Sequence, residues 1–244
     1  VHNLLKDHAR VENATLRRAI EVLPYDEPDA CGAQTQMKRD ELDVPPDWEP
    51  DARAAALTPR VIDLSRAGKG NYVRRVGYLT EALWFIVEAC VINNRLIPVS
   101  AWRVALLRLF GAKIGPNCRF VHPLRVKAPW NLEVGANSWF GVDAWIYNQA
   151  PIRIGANVCI SQGAFLTTGS HDYATTMDLH VAPIVIEDGV WIASKCVVQM
   201  GVTIGRSALV TPLSVVHRSL EAEGIYGGNP ARFIKKRFAR VRAQ

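Results

Sequence analysis

The side chains best suited to chemistry stand together in one stretch, TTGSHDY, where His171 is followed directly by Asp172. A free imidazole titrates near ~6.5 and can take and return a proton at neutral pH. An adjacent carboxylate can orient such a ring or stabilise its protonated form. A second concentration is cationic: after Pro230 come Arg232, Lys235, Lys236, Arg237, Arg240 and Arg242 with no acid. That cluster accounts for the formal charge of +6, so the body of the chain is close to neutral and no nucleic-acid partner is indicated. The five cysteines form no CxxC pair and no Cys/His cluster at metal spacing. Cys118 and Cys196 read as packing thiols, which suits a reducing, cytoplasmic setting.

What positions His171 is a rhythm of six. Apolar residues fall at Ile114, Phe120, Val126, Leu132, then Val134, Phe140, Ile146, Ile152, then Ile154, Ile160, Leu166, and again at Ile186, Ile192, Val198, Ile204, Val210 and Val216. Hexapeptide periodicity is the signature of a β-helix, in which three short strands make a coil and coils stack ~4.8 Å apart. Four residues after the landings the chain places small side chains such as Ser138, Ala144, Ala164, Ala208 and Ser214. Gly115, Gly135, Gly141, Gly155 and Gly205 directly follow landings, where a tight turn predicts unusual dihedrals. Two slips, Leu132 to Val134 and Ile152 to Ile154, predict bulges at a corner. Between Leu166 and Ile186 the rhythm is lost, so one coil is expected to leave the shaft as a loop carrying His171. Loops anchored on a rigid scaffold are where function concentrates.

The 244 residues suit one domain with an appendage. Residues 1–70 read as an N-terminal arm and linker with a short helix, Pro- and acid-rich over 24–59. Residues 71–111 are a helical segment, with one helix over 72–93 and another over 98–110, Ser100 as N-cap and Gly111 as stop. Residues 112–222 are the β-helix, and 223–244 a basic C-terminal tail. Glu81 and Glu88 interrupt the first helix, whose apolar part falls short of the ~20 residues of a membrane span. It either packs across the end of the shaft or lies at a membrane interface with Arg74 and Arg75 at the headgroups. No basic-then-apolar leader opens the chain, and a cytoplasmic location is expected, with peripheral association at the inner membrane face as its variant.

The repeat, taken with PWNLEVG, CISQGAFLTTGSHDY, PIVIEDGVWIA and GGNPAR, resembles the hexapeptide-repeat acyltransferases over about residues 98–237. Within them it is most similar to the branch that O-acetylates sugars in colanic-acid and exopolysaccharide synthesis. The resemblance implies an all-β fold, a left-handed parallel β-helix with N-terminal α-helices and the basic tail; the handedness comes from the resemblance alone. It also implies a homotrimer with active sites between neighbouring shafts, acetyl-CoA as co-substrate and no metal. The implied reaction moves acetyl to a hydroxyl of a sugar or oligosaccharide, with His171 as general base, a role typically contributing about 10²–10⁴-fold, and Asp172 beside it.

Trp191 and Ser194 are implied beside the pantetheine arm, Arg232 and Lys235 near the CoA phosphates, and Asn229 in the turn that aims them. Galactoside and maltose acetyltransferases of this fold hold their sugar with an Asn one coil before the His. The matching position here is Gly141, so the acceptor contacts are sought among Asp143, Asn148 and Tyr173. Asp143 and Asn148 have turn satisfaction as their other reading. The outward rings Trp139, Trp145, Tyr147 and Trp191 suit clefts between copies. Association with a membrane-bound polysaccharide assembly is a further expectation. The alternatives are an N-acyltransferase on a nucleotide-linked amino sugar and a non-catalytic β-helix scaffold. A zinc carbonic anhydrase of this repeat type needs three histidines with a close pair, a spacing that His122, His171, His180 and His217 do not offer.

Overall fold

Short runs that place a polar residue beside an apolar one make the strands. Lys113–Ile114, Arg119–Phe120 and Arg125–Val126 each turn one side chain outward and bury the next, as the two-residue period of a strand requires. The computed structural model describes residues 61–238. Residues 1–60 of the arm expected over 1–70, with its short helix, and Arg240 and Arg242, lie outside the described residues.

Stacked coils give three parallel faces. Face A holds Lys113–Ile114, Leu132–Val134, Ile152–Ile154, Ile184–Ile186 and Thr203–Ile204. Face B holds Arg119–Phe120, Trp139–Phe140, Cys159–Ile160, Trp191–Ile192, Leu209–Val210 and Gly224–Gly227, and face C holds Arg125–Val126, Trp145–Tyr147, Phe165–Thr167, Val197–Val198 and Val215–Val216. Each landing pairs with the landing one coil on, as in Ile114, Val134, Ile154, Ile186 and Ile204 along face A. A bridge from Ile204 to Leu220 opens a sixth coil above five complete ones. The landings fill the shaft: Phe120 stacks on Phe140 with ring centroids 4.3 Å apart, and Ile146, Ile160, Leu166 and Ile192 are fully buried. Each such side chain stabilises the fold by about 1.5–3 kcal/mol.

The corners differ. Between faces A and B, Asn117, Asn137 and Asn157 take left-handed φ values of 58°, 60° and 57°, which Asn tolerates better than most residues. Their amides chain from coil to coil at 3.2 and 3.3 Å. Between faces B and C, Asp143, Gly163, Lys195 and Leu213 hold the same left-handed position. The glycines after the landings have another cause than the expected dihedrals, since Gly135 has no positive φ. A Cβ on it would lie 2.5 Å from the Ala156 nitrogen of the next coil, so close stacking requires its absence.

The corner between faces C and A is irregular. A 3₁₀ turn, Pro129–Asn131, occupies it in the first coil. The slips fall at this corner, as expected: Leu132 and Val134 both point inward from one strand, and the added residues belong to the corner before it. No coil is ejected between Leu166 and Ile186, because Ile184 pairs directly with Ile152 of the coil below. What leaves the shaft is an antiparallel hairpin, Gly169–His171 with Leu179–Val181, inserted at this corner. Its GSH and LHV strands lack the apolar rhythm because their side chains have no shaft to fill.

Two helices cover the first coil. Helix α1, Tyr78–Val87, runs on as a π-helical turn, Glu88–Ile92, and α2 is Ser100–Leu109. Trp84, Ile92, Val104 and Leu107 join the core, and Trp84 Nε1 donates to the Val126 carbonyl at 2.8 Å. The buried Arg103 of α2 donates to the carbonyls of Ile92, Asn94 and Ile97, tying α2 to the end of the π turn. Ser100 is not a cap, since its Oγ accepts from the Phe120 amide at 2.8 Å, and Val99 precedes α2 with no side-chain cap. No described helix is long and apolar enough to cross a membrane. At the other end, Arg232–Lys236 folds back antiparallel on Gly224–Gly227, so the start of the basic tail is a strand of face B.

Candidate active site

His171 ends the first strand of the hairpin and is exposed. Its Nδ1 lies 2.8 Å from the Met177 carbonyl, and a carbonyl oxygen only accepts. Nδ1 is therefore the nitrogen placed to donate, and in the neutral ring Nε2 is the one without a proton. Met177 presents that carbonyl from a left-handed φ of 58°, an uncommon conformation for its residue type and one that clusters at functional sites. The turn is closed by backbone bonds from the Asp172 amide to Asp178 O at 2.9 Å and from the Met177 amide to Asp172 O at 2.8 Å.

Asp172 does not orient the imidazole, contrary to the expectation from its position. Its carboxylate accepts from the Ala174 and Thr175 amides at 3.0 and 3.2 Å and from the Thr175 hydroxyl. The Thr175 hydroxyl, and then the Ala174 amide, hold its pKa below the usual carboxylate value. Asp172 thus shapes the turn that delivers Met177 O to His171, and adjacent strand side chains point to opposite faces. The hairpin is braced from residues 68–71, at the junction of the expected linker and helical segment. Gly68 O accepts from the Leu179 amide at 3.1 Å, and Asn71 bonds both the amide and carbonyl of Val181. Gly70 sits at φ 48°, where a side chain would collide with the Leu179 carbonyl. The glycines and Asn of RAGKGN were the available signal; Met177 left none, since its contribution is a backbone oxygen.

Of the residues assigned to the donor, Trp191, Arg232 and Lys235 stand on face B. Trp191, Leu209, Ile225 and Lys235 share one register row, so Trp191 and Lys235 stand about 14 Å apart along three ~4.8 Å strand spacings. Trp191 is 42% exposed, and its Nε1 donates to Ser161 Oγ at 2.9 Å. Arg232 pairs with Gly227 beside this row. Ser194 is half-buried at the corner after Trp191, and Asn229 is exposed in the turn before Arg232. The His171 hairpin, in contrast, leaves the corner between faces C and A, across the triangular shaft from face B.

No protein-family model matches the chain. Individual proteins do: WcaF of Escherichia coli (strain K12), named as a colanic acid biosynthesis acetyltransferase, is 40% identical over 156 residues, covering 64% of this chain and 86% of WcaF. The chain belongs to the hexapeptide-repeat acetyltransferases of the WcaF type. The galactoside O-acetyltransferase of the same bacterium is 28% identical over 138 residues, covering 55% of this chain and 68% of that one. Among solved structures, the hexapeptide-repeat acetyltransferase VCA0836 of Vibrio cholerae, complexed with acetyl-CoA, superposes with a TM-score of 0.63 at 26% identity. That match covers 72% of this chain and 98% of VCA0836.

In this acetyltransferase the three residues considered for the acceptor separate. Asn148 is fully buried, and its side chain accepts from the Ala128 amide at 2.9 Å and donates to the Ala128 carbonyl at 2.6 Å. It is a rung of the irregular corner and has no atom free for a sugar, which removes it from the acceptor set. Asp143 lies at the corner between faces B and C with its carboxylate 3.9 Å from Arg95. Tyr173 is 86% exposed at the hairpin turn, two residues from His171. Burial raises the Cys196 thiol pKa, and its Sγ bonds the Thr211 carbonyl at 3.0 Å, as a packing thiol does.

Proposed function

We propose that this acetyltransferase moves acetyl from acetyl-CoA to a hydroxyl of a sugar or oligosaccharide acceptor, with His171 as general base. The observation that carries the reading is the 2.8 Å bond from Nδ1 to Met177 O, which leaves Nε2 as the acceptor atom. As the hydroxyl oxygen attacks the thioester carbonyl, Nε2 takes its proton, and the imidazolium returns that proton to the departing CoA sulfur. The Met177 carbonyl stabilises the imidazolium through the Nδ1 proton. Acetyl-CoA bound to VCA0836 and the sugar chemistry in the names of WcaF and the galactoside enzyme support the two substrates. The exposed cations Arg232 and Lys235 suit the CoA phosphates.

Because His171 and the Trp191 row lie on opposite sides of one shaft, we further propose that a working site joins the hairpin of one copy to face B of its neighbour, as in a trimer. His171→Ala and His171→Gln are expected to lower transfer by about 10²–10⁴-fold while CoA binding by calorimetry changes less than about twofold. A rate unchanged in both variants removes His171 from the mechanism.

A further inference from the structure

Between α1 and face C lies a cleft of about 230 Å³, to which neither His171 nor the donor residues contribute. Its shaft side is aromatic: Trp130, Trp145 and Tyr147 line it, with Tyr147 edge-on to Trp145 at 5.7 Å. Its lining carries charges of both signs: Glu88 stands near Arg125 and Lys127, and Glu81 pairs with Arg74 at 3.3 Å. Such a lining selects neither an anion nor a cation, and a purely apolar ligand would leave four charged groups dehydrated. Ring faces beside donors and acceptors of both kinds match a neutral polyhydroxylated ring, which presents C–H faces to aromatics and hydroxyls to carboxylates and amides. The volume falls below the roughly 300–1,000 Å³ of sites for larger ligands, which fits one ring.

The cleft is also partly dehydrated. Burial raises the Glu88 carboxyl pKa, and burial, followed by the charge of Glu81, raises the Tyr72 phenol. Hydrogen bonds made in such surroundings are electrostatically stronger than in water. Asn131, another lining residue, is 5% exposed, and its Oδ1 has no donor. The π-helical turn that supplies Glu88 is a local irregularity of the kind frequent at functional sites.

One wall residue, Gln149, reaches the His171 hairpin, and another, Tyr72, adjoins in sequence a residue that does. A side chain at Gly169 would collide with Gln149 Oε1, so Gln149 packs on the open face of Gly169. Tyr72 directly follows Asn71, which clamps Val181, the strand partner of Gly169. Strand alternation puts His171 on the same hairpin face as Gly169, two residues or about 6.6 Å further on.

We infer that this cleft is a carbohydrate subsite: it holds one sugar ring of an oligosaccharide acceptor whose next ring presents the hydroxyl acetylated at His171. The inference rests on the O-acetyltransferase reading above. It is tested on the full chain with acetyl-CoA and two acceptor pairs, methyl β-galactoside against lactose and methyl β-glucoside against cellobiose. The disaccharides should be preferred at least tenfold in kcat/KM, through KM, and Tyr147→Leu and the isosteric Glu88→Gln should each reduce that preference at least fivefold. No preference in the wild type, or the same preference in both folded variants, overturns the subsite. If the wild type acetylates none of the four, the O-acetylation reading fails for these sugars, and saturation-transfer NMR with lactose and cellobiose decides the subsite alone. Binding that is lost in Tyr147→Leu supports it, and no binding to the wild type overturns it.

Discussion

The corners of the shaft are built by opposite rules. At two of them a left-handed residue recurs coil after coil, Asn117, Asn137 and Asn157 on one and Asp143, Gly163, Lys195 and Leu213 on the other. Each coil there must lie directly on the last, because amides and backbone stack across coils. The third corner holds a 3₁₀ turn in one coil, the buried Asn148 rung in another and a braced hairpin in the next. Adjacent coils need not match in length there, so an insertion leaves the pairing on all three faces intact. A repeat fold thus separates its duties: the regular corners fix geometry, and the irregular one carries the histidine.

Substitutions should respect that division. Leu166→Ala, in the fully buried shaft beneath the hairpin, should cost about 2–5 kcal/mol of stability by denaturant unfolding and leave the rate per folded molecule nearly unchanged. Gly135→Ala, whose Cβ would press on the Ala156 backbone, should cost about 1–3 kcal/mol, again without a change in rate. Asp172→Asn, at the irregular corner, should do the reverse: Tm holds, and kcat falls by something on the order of three- to tenfold because Met177 O is less firmly aimed. A fall in Tm comparable to that of Leu166→Ala would break the comparison.

The pH dependence of Asp172 sharpens it. Its carboxyl pKa is lowered by the Thr175 hydroxyl and then the Ala174 amide. The turn it organises is therefore intact above the ordinary carboxylate value of ~3.9 and loosens only as pH falls through the lowered one. Any change in rate between pH 5 and 8 comes from another group, so Asp172→Asn should lower the plateau of the pH–rate profile without shifting its limbs in that window.

The shaft was legible because a strand turns its side chains in strict alternation, so the apolar landings from Ile114 to Val216 could only fill one interior. The stacking glycines were visible as positions, yet their cause was not: dihedral freedom and close approach leave the same letter, and at Gly135 the neighbouring backbone decides. His171 stood out in the one long break through the TTGSHDY motif, although Asp172, Asp178 and His180 share that break. What surrounds it was hidden, since its partner is the Met177 carbonyl and its brace comes from Gly68 and Asn71, about a hundred residues away in sequence. Asn148 misled because a buried amide spent on Ala128 and an exposed amide awaiting a sugar read alike. Ser100 misled likewise, offering a helix cap in sequence and a bond to the Phe120 amide in the fold.

The central claim is that the hairpin base and the donor face work together across two copies of the chain. Co-expression of His171→Ala with the double variant Trp191→Ala, Lys235→Ala tests it most directly. Each should be nearly inactive alone, and the mixed assembly should recover a substantial share of wild-type transfer, because some interfaces then pair an intact His171 with an intact face B. A mixed assembly no more active than its two parents would contradict the account.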